Sequence, residues 1–279
     1  MILEDISEWP FLLLPSLKEV VEHWIRSPAL PLLSGLDNLP VPVNYSMEKL
    51  TLTSFEGAWS LNDLLPSYRA LRSLSISWVF QDGHPFNDIY DLVPILAELP
   101  QLENICLEID DLKFGCPWLN LCLPFPIQPI GIFASFPRLR KLQISLALLL
   151  GTNLRTTSLP DLLPPSLVKL MITECLRVAS GNKADMCLFV DHVEDLLFSV
   201  AEKKHPNLKK FYLLDQPELC AKFTCHVPVE LVDPSELVGA FNEVGVEFQV
   251  VICGVKGLRI RTRETQEVEY DGLDRLFMV

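Results

Sequence analysis

Basic residues are scarce: 23 Lys and Arg stand against 36 Asp and Glu, a formal net charge of -13 at pH 7. Neutralising phosphates takes a surplus of cations, so this balance argues against a nucleic-acid partner and against adsorption to anionic membrane surfaces. No secretory leader is expected either, because Glu4, Asp5 and Glu8 follow Met1 where a leader has basic residues and then an apolar run. The longest uncharged stretch, Phe114 to Pro137, carries Pro117, Pro124, Pro126, Pro129 and Pro137. Prolines remove backbone donors and break any helix that would satisfy them in lipid, so no membrane span is expected there. No Cys-x-x-Cys pair occurs, and Cys106, Cys116, Cys122, Cys175, Cys187, Cys220, Cys225 and Cys253 are scattered, several in apolar runs. Reduced, mostly buried thiols in a cytoplasmic or nuclear protein are the expectation. Also missing are a G-x-S-x-G elbow, a P-loop and a G-x-G-x-x-G turn. The expectation is a protein that is not an enzyme and uses no cofactor.

A repeated apolar triplet is what the chain does have. A leucine is followed three residues later by an apolar residue, and two further on by another. The copies are Met47/Leu50/Leu52, Leu71/Leu74/Ile76, Leu102/Ile105/Leu107, Leu139/Leu142/Ile144, Leu167/Leu170/Ile172 and Leu208/Phe211/Leu213. LKEVVE at Leu17 is a degraded first copy, with Glu22 where an apolar residue belongs. Two apolar residues separated by one share a strand face, and the leucine three earlier packs beneath the chain as it arrives. Each unit buries too little alone, so units stack and share a core. Proline before several copies (LPQL, FPRL, HPNL) is expected to end a helix and turn the chain into an extended path. Successive copies start 24 to 41 residues apart, looser than the roughly 20–29 of a regular leucine-rich repeat. Insertions on the convex side would account for the difference.

Helical spacing fills the intervals. Asn87 to Leu99 reads as a helix kinked at Pro94, and Asp185 to His205 carries Leu188, Phe189, Val193, Leu196, Leu197 and Val200 on one face. Asp233 to Val244 opens with an N-cap, Pro234 and Glu236, and Gly245 suits its C-terminal stop. Val246, Phe248, Val250 and Ile252 then alternate like a last strand. The segments Gly115–Ser135 and Leu146–Pro165 read as irregular convex-side connections. The expected architecture is α/β: an irregular leucine-rich-repeat solenoid over residues 1–254, with parallel strands on the concave face, helices and loops on the convex face, and a weak first repeat over 14–46. Residues 255–279 read as a C-terminal cap or charged tail, with Arg259, Arg261 and Arg263 followed by Glu264, Glu267, Glu269 and Asp271.

These triplets, their LPSL, LPQL, FPRL and HPNL lead-ins and the uneven spacing resemble the leucine-rich region of fungal F-box-like proteins over roughly Leu14 to Gly254. The resemblance implies a non-catalytic protein-binding module, the substrate-recognition part of a cullin-type ubiquitin ligase. The first forty residues show no three-helix F-box: a repeat begins almost at once, and Pro28, Pro31, Pro40 and Pro42 break the stretch that follows it. The chain therefore reads as the repeat half of such a receptor. A scaffold unrelated to ubiquitin and an α/β enzyme with an unrecognised site are the alternatives.

In the strand register, residues flanking the apolar pair face away from the core. The partner-binding candidates on that face are Lys49, Thr51, Ser75, Cys106, Lys141, Gln143, Lys169, Met171, Lys210 and Tyr212. Lys49, Arg72, Arg140, Lys141, Lys169, Lys209 and Lys210 would gather at the strand starts, and Glu56, Asp82, Asp110, Asp111, Glu174 and Asp215 at the strand ends. A column of like charge is relieved by an acidic or phosphorylated partner segment, the expected ligand. Cys220, Cys225 and His226 offer three metal ligands where a structural zinc site takes four, so no metal is expected. His192, between Asp191 and Glu194, reads as part of a solvated helix face. Trp24, Trp59, Trp78 and Trp118 read as core or strand-end packing.

Overall fold

The computed structural model describes residues 2–3, 16–23, 43–55, 65–78, 92–109, 129–151, 157–173, 183–215, 234–254, 257–260 and 268–270. Each apolar triplet ends on a strand: β1 is Ile2–Leu3, β2 Glu19–His23, β3 Lys49–Phe55, β4 Ser73–Trp78, β5 Asn104–Ile109, β6 Lys141–Ser145, β7 Lys169–Thr173, β8 Lys210–Asp215 and β9 Glu247–Gly254. Every one of these strands pairs in parallel with the next in chain order. β10 (Gly257–Ile260) and β11 (Val268–Tyr270) then extend the sheet in antiparallel fashion from β9. The result is one open sheet whose strand order is the chain order, an α/β arrangement compatible with a solenoid.

Register puts equivalent residues side by side. Leu50, Leu74, Ile105, Leu142, Leu170, Phe211 and Phe248 form one continuous row; Leu52, Ile76, Leu107, Ile144, Ile172, Leu213 and Val250 form the next. All of the first row is buried, and Met47, Leu71, Leu102, Leu139, Leu167 and Leu208 are buried beneath it. The degraded copy also makes a strand, with Val20 buried beside Leu50 and Glu22 in register with Leu52.

Backbone hydrogen bonds repeat with the same period. The carbonyl of Glu48 accepts from the N–H groups of Arg72 and Ser73, that of Arg72 from Glu103 and Asn104, that of Glu103 from Arg140 and Lys141. The Arg140 carbonyl continues with Val168 and Lys169, and the Val168 carbonyl with Lys209 and Lys210. One carbonyl with two lone pairs thus satisfies two donors at the starts of β4 to β8, which fixes the register of each of these units on the last.

The prolines before the triplets occupy turns, which corrects the extended path expected for them. Leu102 N–H closes on the Leu99 carbonyl at 3.4 Å, Leu167 on Pro164 at 3.1 Å and Leu208 on His205 at 3.2 Å. Pro100, Pro165 and Pro206 therefore sit second in a four-residue turn, where a fixed φ near -65° is what the geometry asks for. The turns stack and are laced together. Arg138 donates to the Gln101 side-chain oxygen, Ser166 Oγ to the Phe136 and Leu139 carbonyls, and Asn207 Nδ2 to the Pro165 carbonyl. Before β3, Asn44 takes the first turn position and its Oδ1 accepts from the Ser46 and Met47 N–H groups.

The first turn position is buried in each case: Asn44, Tyr68, Leu99, Phe136, Pro164 and His205. His205 carries an imidazole in that position. Burial lowers its pKa from 6.5, against the opposing pull of the Pro164 and Pro160 carbonyls and of Asp161, while Lys204 adds to the lowering. The folded chain thus takes up this proton less readily than the unfolded chain does. Stability from this group should be level above pH 6.5 and fall as pH drops below that value towards the folded-state pKa. Denaturation compared at about pH 7.5 and 5.5 checks it, and His205→Phe should flatten the loss. An equal loss in the variant would contradict the assignment.

Helices line the core side of the sheet: α1 (Leu92–Ala97), α2 (Leu146–Leu150), α3 (Leu159–Leu162), α4 (Lys183–Ala201) and α5 (Pro234–Glu243). Leu92, Leu96, Leu148, Leu159, Leu162, Phe189, Val193, Leu196 and Phe241 share one core with the strand rows. Pro94 lies in the first turn of α1, where its missing N–H is harmless, so it begins a helix instead of kinking one. α2 replaces part of the irregular connection expected after β6. All five of its residues are buried, so it shows no amphipathic period to read.

Two helices stop by the same device. After α5, Gly245 (φ 80°) bonds to the Asn242 carbonyl and Val246 to that of Phe241. After α4, Lys203 N–H bonds to the Val200 carbonyl and Lys204 N–H to that of Ser199, with Lys203 at φ 61°. Both are Schellman stops, but a lysine there pays a steric penalty that glycine avoids. Lys203→Gly should raise stability by about 1 kcal/mol, seen as a higher urea midpoint at unchanged slope.

Candidate functional site

On the sheet face turned away from the helices, two rows run across the strands. One reads Glu19, Lys49, Ser73, Asn104, Lys141, Lys169, Lys210, Glu247. The other reads Val21, Thr51, Ser75, Cys106, Gln143, Met171, Tyr212, Gln249. All ten candidate residues fall in these two rows. Most are half-buried or exposed, whereas Met171 is 8% exposed and so is largely shielded from a partner.

The basic column is shorter than expected. Arg72, Arg140 and Lys209 precede their strands by one residue and form a separate line, in which Glu48 and Glu103 are interleaved. Lys49 faces Glu19 at 2.7 Å, Lys18 lies 3.8 Å from Glu48, and Arg72 lies 4.0 Å from Glu103. These exposed pairs each contribute little, about 0–1 kcal/mol, but they cancel charge at that end of the sheet. Beyond those pairs Lys141, Lys169 and Lys210 stand on three consecutive strands, and Lys210 is the one of the three with a carboxylate at ion-pair distance among the described residues. Of the acidic strand ends, Glu56, Asp82, Asp110, Asp111 and Glu174 lie outside the described residues, and of Asp215 only the backbone is described.

The three lysines are held differently. Glu247 lies 3.3 Å from Lys210 and also accepts from Tyr212 Oη at 3.0 Å and Gln249 Nε2 at 2.9 Å. The Lys210 pKa is raised, by its hydrogen bond to Glu247 and by the Tyr212 and Glu247 charges. Burial raises the Tyr212 hydroxyl, and Glu247 adds to it. Lys169 Nζ stands 5.2 Å from the centre of the Tyr212 ring. Its pKa is lowered, by burial first and then by the charges of Lys141 and Lys210, with Glu247 opposing. Among the described residues no carboxylate comes within ion-pair distance of Lys141 or Lys169.

No protein-family model, curated protein or solved structure matches this chain.

In the adjoining row Gln143 Nε2 donates to Glu108 Oε1 at 2.6 Å. Burial and the Glu108 charge push the Cys106 thiol pKa up, opposed by a hydrogen bond with Ser75, so Cys106 is a poor nucleophile at neutral pH. Among the described residues no cluster of three His, Cys, Asp or Glu side chains is placed to hold a metal ion. Cys220, Cys225 and His226 lie outside the described residues, as do Trp24, Trp59 and Trp118, while Trp78 is core. His192 is buried, which corrects the solvated face expected for it. Three residues after Phe189 and one before Val193, it falls on the apolar stripe of α4, while Asp191 and Glu194 are exposed. Among the described residues no helix is long and apolar enough to cross a membrane.

The candidates named from the sequence share these two rows, but Glu247, which anchors three of the side chains here, was not among them. Its signal was available: Glu247 opens the alternating run of β9, in the position the lysines hold in the preceding strands.

Proposed function

We propose that this chain is a leucine-rich-repeat-type solenoid that binds a protein partner without catalysis, through the sheet face carrying Lys141, Lys169 and Lys210. The observation that carries this reading is the placing of those three cations on neighbouring strands, with Glu247 against Lys210 at one end. Neighbouring strands lie about 4.8 Å apart, so the ammonium groups repel one another. An acidic or phosphorylated segment laid across the strands relieves that repulsion through charge-assisted hydrogen bonds. Cytoplasm or nucleus is the setting in which such a partner is expected.

Affinity purification with mass spectrometry tests the reading, comparing the unaltered protein with Lys141→Glu/Lys169→Glu/Lys210→Glu. Loss of the same specific proteins from the folded variant supports it; their full retention contradicts it. Cullin-ligase subunits among the recovered proteins would favour a ubiquitin-ligase receptor, and their absence a scaffold of another assembly.

A further inference from the structure

The described lysines differ in what lies beside their amines. Lys18, Lys49, Lys204 and Lys210 each keep a carboxylate nearby, at 3.8, 2.7, 2.8 and 3.3 Å. Lys169 does not, among the described residues, and it lies in register between two further cations. Half-buried and seated against the Tyr212 ring, it has a weak cation–π contact as its attraction. Glu247 is already engaged by Lys210, Tyr212 and Gln249. Burial and the flanking charges favour the neutral amine at Lys169, whereas at Lys210, one strand away, the shift runs the opposite way.

We propose that Lys169 is a site of covalent acylation, at which an acyl thioester transfers its acyl group to the Nζ amine and so switches off the basic row. The consequence rests on the binding function proposed above; the chemistry does not. The amine lone pair attacks the thioester carbonyl carbon, an N–C bond forms and the C–S bond breaks. The departing thiolate takes the proton that the nitrogen loses, and nothing is oxidised or reduced. Only the unprotonated amine attacks, so the lysine most readily deprotonated reacts first. The amide product is neutral, and it removes the middle charge of three. At Lys210 the same reaction would break an ion pair with Glu247; at Lys169 it ends a repulsion. An acidic segment lying across β6, β7 and β8 would lose its central contact.

The full chain incubated with acetyl-coenzyme A, with each lysine followed by peptide-mapping mass spectrometry, tests this. Acetylation at Lys169 should outrun that at Lys210 and Lys204 severalfold, and its pH–rate midpoint should lie below theirs. Lys141→Gln should slow Lys169, because one charge that disfavours its protonation is gone; Glu247→Gln should quicken it. A Lys169 rate no greater than that of Lys210, or one indifferent to Lys141→Gln, overturns the proposal. These rates need no partner. Slow acylation therefore leaves the charge-reversal result standing, and an unchanged pull-down leaves the rates standing.

Discussion

Phe211→Ala should destabilise the fold by about 3–5 kcal/mol, the range for emptying a buried aromatic site. Phe211 stands where the other triplets have leucine or, at Ile105, isoleucine, and it is fully buried, as is Phe241 of α5. Its ring stands 5.5 Å from Phe241 at 65°, and 4.9 Å from Phe248 of β9. Phe241 and Phe248 in turn lie 4.8 Å apart, so three rings close a triangle between two strands and a helix. Aromatic contacts of this kind add about 0.5–1.5 kcal/mol to the area buried. Alanine would leave a cavity that Phe241 and Phe248, locked against each other, cannot refill. Urea denaturation measures the loss, and Phe211→Leu, which restores the residue type of the neighbouring units, should recover much of it. A loss below about 1 kcal/mol would show that β8, α5 and β9 do not pack as described.

Gly131→Ala carries the second large effect. Gly131 has φ 140°, a conformation that side chains avoid, and a Cβ built there would stand 2.9 Å from Val93 Cβ in α1. Strain and overpacking each cost about 1–3 kcal/mol, and neither neighbour can yield freely, since Val93 is buried in the core and Ile130 beside the glycine is hydrogen-bonded to the Leu148 carbonyl. The double variant Gly131→Ala/Val93→Ala should recover the overpacking share and keep the backbone strain. Equal stability of Gly131→Ala and the parent protein would contradict the contact.

The strands were legible because their burial is written into the side chains with period two. Leu142, Ile144 and the residues flanking them alternate in the chain as they alternate across the sheet, and each triplet repeats that pattern. α5 was legible through Pro234 and Gly245, residues whose backbone restrictions mark the two ends. The Schellman stop at Lys203 was not, because a lysine gives no sign that it will adopt a left-handed conformation. Nor was α2, where an unbroken LALLL is buried on every side. The candidate face could be grouped from register alone, yet its charge balance could not. Glu48 and Glu103 interleave with the basic residues only when strands of unequal spacing are laid side by side, and Glu247 reaches Lys210 across 37 positions of chain. Spacing in sequence hides such pairs.

Cross-linking at the native Cys106 tests most directly whether the triplets stand as consecutive rungs of one sheet. Cys106 is in register with Ser75 on one side and Gln143 on the other, while Thr51 lies one strand beyond Ser75. Strands about 4.8 Å apart bring Cα atoms within the roughly 4.4–6.8 Å that a disulfide spans; two strands apart, they do not. Under oxidation in alkaline buffer, which offsets the raised Cys106 pKa, Ser75→Cys and Gln143→Cys should each form a bond to Cys106, identified by peptide mapping, and Thr51→Cys should not. Bonding from Thr51→Cys with none from Gln143→Cys would mean that the strands do not follow one another in chain order.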